Sequence, residues 1–138
     1  MSDDSIRPGI EGVYSVEVGD EHVPAHLRGT GAEVVSTPDL VRFMERAAIA
    51  ALEPHMEADQ TSVGTMVSLK HMAGTPKGMR VEARARLLER DRRRLVFEVE
   101  IHDEAEKVAE GRNERFIVPR ERKNEKLLAK IETVRARS

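Results

Sequence analysis

The stretch STPDLVRFMERAAIAAL, residues 36–52, decides the fold. It opens with a strong helix start, because Thr37 can cap free backbone N–H groups, Pro38 suits the first helical position and Asp39 complements the positive helix end. Placed at 100° intervals, its apolar residues fall on one face. The members of this face are Leu40, Met44, Ala47, Ala48 and Ala51. The sequence therefore predicts one long amphipathic helix that ends near Pro54.

Strands are predicted on both sides of this helix. Ile10–Val18 alternates weakly between apolar and polar residues, and the proline- and glycine-containing segment His22–Val35 is predicted as a surface loop. After the helix, Thr61–Val118 predicts four strands with turns at residues 74–78, 89–93 and 103–106. Pro119 ends the last strand. The tail from about residue 120 has apolar residues at helical spacing, which predicts a terminal helix.

The apolar positions of the predicted strands form rows that share one face of a sheet. The first row contains Val63, Thr65, Val67, Leu69 and His71, the second Met79, Val81, Ala83, Ala85 and Leu87, and the third Leu95, Phe97, Val99 and Ile101. The order of strand, helix and four antiparallel strands predicts a single α+β domain over residues 1–138. Because one helix covers one face and the sheet edges stay exposed, a dimer is expected.

Composition limits the possible functions. The absence of cysteine excludes disulfides, thiolate nucleophiles and cysteine-based zinc sites. A net charge of -2, one tyrosine and no tryptophan argue against nucleic-acid binding. Met1–Pro8 lacks the apolar core of a signal peptide, and no apolar run approaches the ~20 residues needed to cross a bilayer. We therefore expect a soluble cytoplasmic protein that contacts neither nucleic acid nor membrane.

Three side chains do not fit a purely structural interpretation. Glu45 lies beside Val41 and Leu52 on the helical wheel, where a carboxylate is either paired for proton transfer or extended to solvent. His71 continues an inward row, as a hydrogen-bonded core residue or as a proton carrier. Thr37 is expected to cap the helix, and its hydroxyl also lies beside N–H groups that suit an oxyanion. The residues alone leave these alternatives open.

Motifs for metals and cofactors are missing from the sequence. The remaining histidines form no HxH pair, and no carboxylate completes a recognisable ligand set. The chain has no G-x-S-x-G elbow, no P-loop and no G-x-G-x-x-G. We therefore expect neither a metal nor a bound cofactor.

Four stretches carry a family resemblance. They are EVVSTPDLVRFME (33–45), SVGT (62–65), HMAGTPKG (71–78) and GRNER (111–115). Together they resemble the hot-dog-fold thioesterases, most closely the fluoroacetyl-CoA thioesterase type, in which a sheet wraps the long helix and two protomers form the active sites at their interface. The resemblance implies an acyl-CoA thioesterase and a homodimer. It also implies catalytic positions at Thr37, Glu45 and His71, with Gly64 and Arg115 lining the site.

The segment before the helix departs from that family. The fluoroacetyl-CoA enzymes carry an aromatic lid there, whereas His26–Ala32 contains no phenylalanine, tyrosine or tryptophan. This departure argues against fluoroacetyl specificity and indicates a different, broader acyl range.

Other functions on the same fold remain as alternatives. A non-catalytic acyl-CoA or small-ligand binding protein is the second hypothesis, because a fold alone does not guarantee activity. A dehydratase or hydratase ranks last, since that class relies on a different arrangement of histidine and acidic residues. Whether water or Glu45 attacks the thioester is left open by the sequence.

Overall fold

The structure, a computed structural model, describes residues 3–137 without the side chains of residues 3 and 122–124. Met1 and Ser2, which begin the segment Met1–Pro8 considered above, and Ser138 lie outside the described residues. The main elements are β1 (Glu11–Glu17), α1 (Thr37–Leu52), β2 (Gln60–His71), β3 (Arg80–Asp91), β4 (Arg94–Asp103), β5 (Lys107–Pro119) and α2 (Arg122–Arg135). Short 3₁₀ turns lie at Asp3–Ser5, Asp20–His22, Ala25–Leu27 and Glu53–His55.

The five strands form one antiparallel sheet in the order β1-β3-β4-β5-β2. The strands β3, β4 and β5 pair consecutively, while β1 and β2 form the two edges. Helix α1 packs on the inner face of this sheet, against all five strands. The predicted α+β class, with one long helix on a curved antiparallel sheet, is confirmed.

The core lies between α1 and the inner face of the sheet. The predicted apolar face of α1 is buried, and Phe43 joins it with 2% of its surface exposed. Val81–Leu87 of β3 and Leu95–Ile101 of β4 supply the opposite wall through their alternate residues, each at most 1% exposed. Burying one such leucine or valine side chain stabilises the fold by about 1.5–3 kcal/mol. The period-2 and period-3.6 patterns therefore identified these parts of the core correctly.

A glycine in β1 allows the closest approach between strand and helix. A Cβ atom at Gly12 would collide with the backbone nitrogen of Ala51 and the backbone oxygen of Ala47. Both are backbone atoms of α1, so a larger residue at position 12 would push the helix off the sheet. The alanines on this face of α1 and the glycine of β1 together bring the two elements into contact.

The hairpin between β3 and β4 is tighter than predicted. The charged cluster Glu89–Arg93 was predicted as a turn, but β3 continues through Asp91, and only Arg92 and Arg93 form the connection. Arg92 adopts a positive φ of 58° there. The prediction was wrong because exposed positions of a paired strand also carry charged residues.

The predicted first row is interrupted by a β-bulge in β2. Gly64 pairs with Arg115 and Met66 pairs with Glu114, so Thr65 is an extra residue. One extra residue reverses the alternation of side chains. The inner-face residues of β2 are therefore Gly64, Val67, Leu69 and His71, whose partners on β5 are Arg115, Asn113, Gly111 and Ala109. The prediction that Val63 and Thr65 share the face of His71 was wrong.

The C-terminal tail forms the predicted helix, α2. Its larger apolar side chains are 45–62% exposed, and they are Leu127, Leu128, Ile131 and Val134. Among residues 3–137, neither this helix nor any other is long and apolar enough to span a membrane. The prediction of a single domain with a separate tail from about residue 120 stays a prediction.

Candidate active site

The N-terminus of α1 leaves the hydroxyl of Thr37 available. Ser36 is the helix cap, because its Oγ accepts a hydrogen bond from the Asp39 backbone N–H at 3.1 Å. The same Oγ donates to the Asp39 carboxylate at 2.6 Å. The prediction that Thr37 is the cap was wrong, since the cap precedes the first helical residue and Thr37 is that residue. Thr37 therefore has no capping role.

Thr37 instead contacts His71 at the end of β2. Its Oγ1 lies 2.8 Å from Nδ1 of the histidine. The other ring nitrogen, Nε2, is buried and has no hydrogen-bond partner among the described residues. A buried polar atom without a partner is uncommon in folded proteins and marks a place where a ligand or water atom can bind. The two predicted residues are thus brought together, and one nitrogen of His71 remains available.

The Thr37–His71 pair can move a proton. When Thr37 accepts from the N–H at Nδ1, the lone pair of Nε2 is available to take a proton from water. When Thr37 donates to Nδ1, Nε2 carries hydrogen and can donate it to a carbonyl oxygen or a leaving thiolate. Both states serve steps that a thioester hydrolysis requires.

Glu45, two turns further along α1, forms an ion pair with Arg115 of β5. The carboxylate Oε2 accepts from Arg115 Nη1 at 3.1 Å. The Glu45 side chain is 38% exposed, while that of Arg115 is only 4% exposed. Burial lowers the pKa of the Arg115 guanidinium, and the carboxylate of Glu45 partly opposes this effect. Glu45 is therefore neither enclosed among apolar side chains nor extended into solvent alone, but held by a buried arginine.

Gly64 brings the backbone of β2 against this ion pair. A Cβ atom at position 64 would collide with Oε2 of Glu45 and would lie 3.1 Å from Nη1 of Arg115. Only glycine leaves the space beside the carboxylate open. The structure thus brings together Gly64, Glu45 and Arg115, three of the predicted site residues, in one cluster.

The five predicted residues form two groups within one chain. Thr37 and Glu45 are eight residues apart on α1, which corresponds to about 12 Å along a helix axis. Across the part of the chain that the structure describes, no hydrogen bond or ion pair joins Glu45 to Thr37 or to His71. The Thr37–His71 pair and the Gly64–Glu45–Arg115 cluster are therefore distinct features on one inner face.

Two residues of the site were missed by the sequence reasoning. Arg115 Nε donates to Ser62 Oγ at 3.0 Å, and Arg115 Nη1 donates to Asn113 Oδ1 at 3.2 Å. Asn113 lies two positions before Arg115 on the same strand, and residues at that spacing face the same side of a sheet. A polar residue on the inward side of a mostly apolar strand is the signal that points to it. Over the described residues, no group of three histidine, cysteine or acidic side chains is placed to hold a metal ion.

Comparison with known proteins identifies the family. A family model described as fluoroacetyl-CoA-specific thioesterase matches residues 18–121. The chain belongs to this family. A curated fluoroacetyl-CoA thioesterase of Streptantibioticus cattleyicolor is 35% identical over 98 residues, which cover 71% of this chain and 70% of that protein.

Solved structures of similar proteins share the same fold. A structure of the fluoroacetyl-CoA thioesterase FlK is 30% identical and covers 90% of this chain and 96% of its own, with a TM-score of 0.80. A thioesterase superfamily member from Thermus thermophilus is 27% identical and covers 96% of this chain and 98% of its own, with a TM-score of 0.82. A hot-dog-like protein from Thermanaerovibrio acidaminovorans, 19% identical at a TM-score of 0.81, covers 89% of this chain and 91% of its own and supports the fold alone.

These similarities confirm the family and the hot-dog fold predicted from the sequence. They also confirm the predicted class of enzyme, a thioester hydrolase that acts on acyl-CoA. The roles of the individual site residues are a separate matter, and they rest on the geometry described above.

Proposed function

We propose that this thioesterase hydrolyses acyl-CoA at a site in which Thr37, Glu45 and His71 are catalytic and Gly64 and Arg115 contact the substrate. The observation that carries the proposal is the Thr37–His71 hydrogen bond of 2.8 Å with the second ring nitrogen buried and unpartnered. A structural histidine in a core normally satisfies both nitrogens. An imidazole with one nitrogen hydrogen-bonded to a hydroxyl and the other unpartnered is suited to exchange a proton with a bound substrate.

The reaction needs a nucleophile, a group that stabilises the oxyanion and a proton for the leaving thiolate. Water, or the carboxylate of Glu45, attacks the thioester carbon and forms a C–O bond, while the carbonyl oxygen becomes an oxyanion. The C–S bond then breaks, and the coenzyme A thiolate takes a proton. His71 carries that proton, Thr37 fixes the imidazole ring or holds the oxyanion, and Glu45 activates water or attacks directly. If Glu45 attacks, water hydrolyses the resulting anhydride in a second step.

We propose an acyl range beyond fluoroacetyl. The segment at residues 26–32 carries no phenylalanine, tyrosine or tryptophan, and Gly29 and Gly31 adopt positive φ angles of 76° and 86°. A cavity of about 260 Å³ lies beside Ser62, a hydrogen-bond partner of Arg115. Its lining combines the apolar side chains of Ile49, Leu52 and Met56 with the charged side chains of Glu53, Glu57 and Arg120. Such a cavity offers apolar surface to an acyl chain longer than two carbons.

A panel of acyl-CoA substrates tests the proposed range. We expect the purified protein to release free thiol from acetyl-, butyryl-, hexanoyl- and octanoyl-CoA, with kcat/KM for one of the longer chains at least equal to that for fluoroacetyl-CoA. The measurement is thiol release over time, with enzyme-free reactions as the control. A strong preference for fluoroacetyl-CoA would overturn the proposed range. Saturable binding by calorimetry without thiol release from any substrate would instead favour the non-catalytic alternative.

We further propose that the active protein is a homodimer joined along β2, and that it is cytoplasmic, as the absence of cysteine favours. β2 is an edge strand, and its residues Met66 and Val67 are 37% and 42% exposed. An apolar edge strand of this length has backbone N–H and C=O groups that can pair with a strand of another chain. Antiparallel pairing of two copies of β2 would bring the His71 end of one strand towards the Gly64 end of the other. The Thr37–His71 pair of one copy would then face the Glu45–Arg115 cluster of its partner.

Mixing two inactive variants tests this shared site. His71→Ala and Glu45→Gln proteins, each expected to be nearly inactive, are unfolded together, refolded together and assayed. Because a heterodimer would hold one complete site, random mixing should restore about a quarter of wild-type activity. Each variant refolded alone is the control. Absence of recovery, with a dimer seen by sedimentation, would mean that each site is built from a single chain.

A further inference from the structure

Asn113 is a buried amide whose hydrogen-bonding atoms are engaged. Its exposed surface is 0%. Its Oδ1 accepts from Arg115 Nη1 at 3.2 Å, while its Nδ2 donates to Met66 O at 3.0 Å and to Glu114 O at 3.3 Å. The guanidinium can only donate and a backbone carbonyl can only accept, so these partners determine which way the amide points. The side chain therefore joins Arg115 to the backbone of β2.

The point of attachment on β2 is the β-bulge. Met66 directly follows Thr65, the extra residue, and Thr65 Oγ1 also donates to Glu114 O at 3.3 Å. A bulge weakens the local ladder and needs other contacts to fix it. Asn113 supplies such a contact from the neighbouring strand, on the buried side.

The bulge decides which side chains share the inner face. Gly64 and His71 are seven residues apart, so a regular strand would place them on opposite faces of the sheet. The extra residue at position 65 returns both to the inner face. The Gly64–Glu45–Arg115 cluster and the Thr37–His71 pair therefore lie on the same side only because this bulge is maintained.

We infer that Asn113 is a positioning residue that holds the β2 bulge and the guanidinium of Arg115 in one geometry. The inference rests on the proposed function for its effect on catalysis. Asn113 itself is not placed to touch substrate, because it is enclosed between β5 and β2. An amide fits this position since it offers an acceptor to Arg115 and donors to two carbonyls at once. Aspartate would keep the acceptor and lose the donors, and leucine would lose both the acceptor and the donors.

Two near-isosteric variants, Asn113→Leu and Asn113→Asp, test the inference kinetically. We expect each to lower kcat/KM about 10- to 100-fold, because a displacement of about 1 Å in a site has effects of that size. Arg112→Ala is the matched control, since Arg112 is the exposed neighbour on the same strand and faces outward. We expect this control to stay within about twofold of wild type. Thermal unfolding of each protein shows whether a rate loss follows a loss of fold.

A double variant separates positioning from general destabilisation. If Asn113 acts through Arg115, Asn113→Leu combined with Arg115→Ala should be no slower than Arg115→Ala alone. Losses that multiply in the double variant would overturn the inference that Asn113 and Arg115 form one positioning unit. If Asn113→Leu does not fold, the same comparison is made with Asn113→Asp.

A spectroscopic measurement tests the inference without any substrate. In wild-type protein the Arg115 Nε–H, which is bonded to Ser62, should exchange slowly with solvent deuterium by NMR, and Asn113→Leu should speed this exchange at least tenfold. Unchanged protection in that variant would overturn the inference even if the enzyme is active. If the wild-type protein releases no thiol but Asn113→Leu still loses this protection, the proposed function is refuted and the positioning role stands.

Discussion

Replacing His71 with alanine should lower kcat about 10²- to 10⁴-fold, the range that a general acid–base group contributes. The variant loses the ring whose Nδ1 lies 2.8 Å from Thr37 Oγ1 and whose Nε2 has no partner among the described residues. Because His71 ends an edge strand and is only half-buried, the fold should survive the change. A loss of this size without unfolding would place the imidazole in the chemical step.

Thr37 and a second histidine provide the controls for this experiment. Thr37→Ser keeps the hydroxyl and should stay within about tenfold of wild type, whereas Thr37→Val removes it and should approach the loss seen in His71→Ala. His102→Ala changes an exposed histidine of β4 and should leave the rate unchanged. Thiol release under saturating substrate gives kcat, and circular dichroism confirms the fold. Near-wild-type turnover by His71→Ala would remove His71 from the mechanism.

The part of the fold that periodicity controls was predictable from the sequence. The apolar face of α1 and the alternating rows of β3 and β4 were identified because each element has a constant period and one buried face. The turn predicted at Glu89–Arg93 was too long because charged residues indicate only that a segment is exposed. Both a turn and the outer side of a strand are exposed. Local composition cannot separate these two, whereas pairing of Arg90 with Leu95 and of Asp91 with Arg94 can.

The residues of the candidate site were proposed from the family resemblance, and their contacts could not be predicted from the sequence. Ser36 and Thr37 are both suitable caps, and which of them precedes the helix depends on how the chain enters α1. The bulge at Thr65 depends on contacts between β2 and β5, which lie about fifty residues apart in sequence. Glu45 and Arg115 are separated by 70 residues, so no local pattern could reveal their ion pair. These contacts depend on residues that are far apart in sequence, and a periodic pattern within one element carries no information about them.

Replacing Glu45 with glutamine should likewise lower kcat about 10²- to 10⁴-fold, but for a different reason. The amide oxygen can still accept from Arg115 Nη1, so the contact that now measures 3.1 Å should persist. An amide cannot act as a base or as a nucleophile, and both proposed roles of Glu45 require the carboxylate. The rate should therefore fall while the protein remains folded.

Alanine at the same position separates chemistry from stability. Glu45→Ala leaves Arg115, which is 4% exposed, without its carboxylate, and losing a partner of a buried polar group costs about 1–3 kcal/mol of unfolding free energy. Glu45→Gln should lose less than half of this amount in urea denaturation, although both variants should lose a similar share of activity. Glu125→Gln, at an exposed glutamate of α2, is the matched control and should change neither quantity. If Glu45→Gln keeps its rate and only Glu45→Ala loses it, Glu45 serves to hold Arg115 and takes no part in the chemical step.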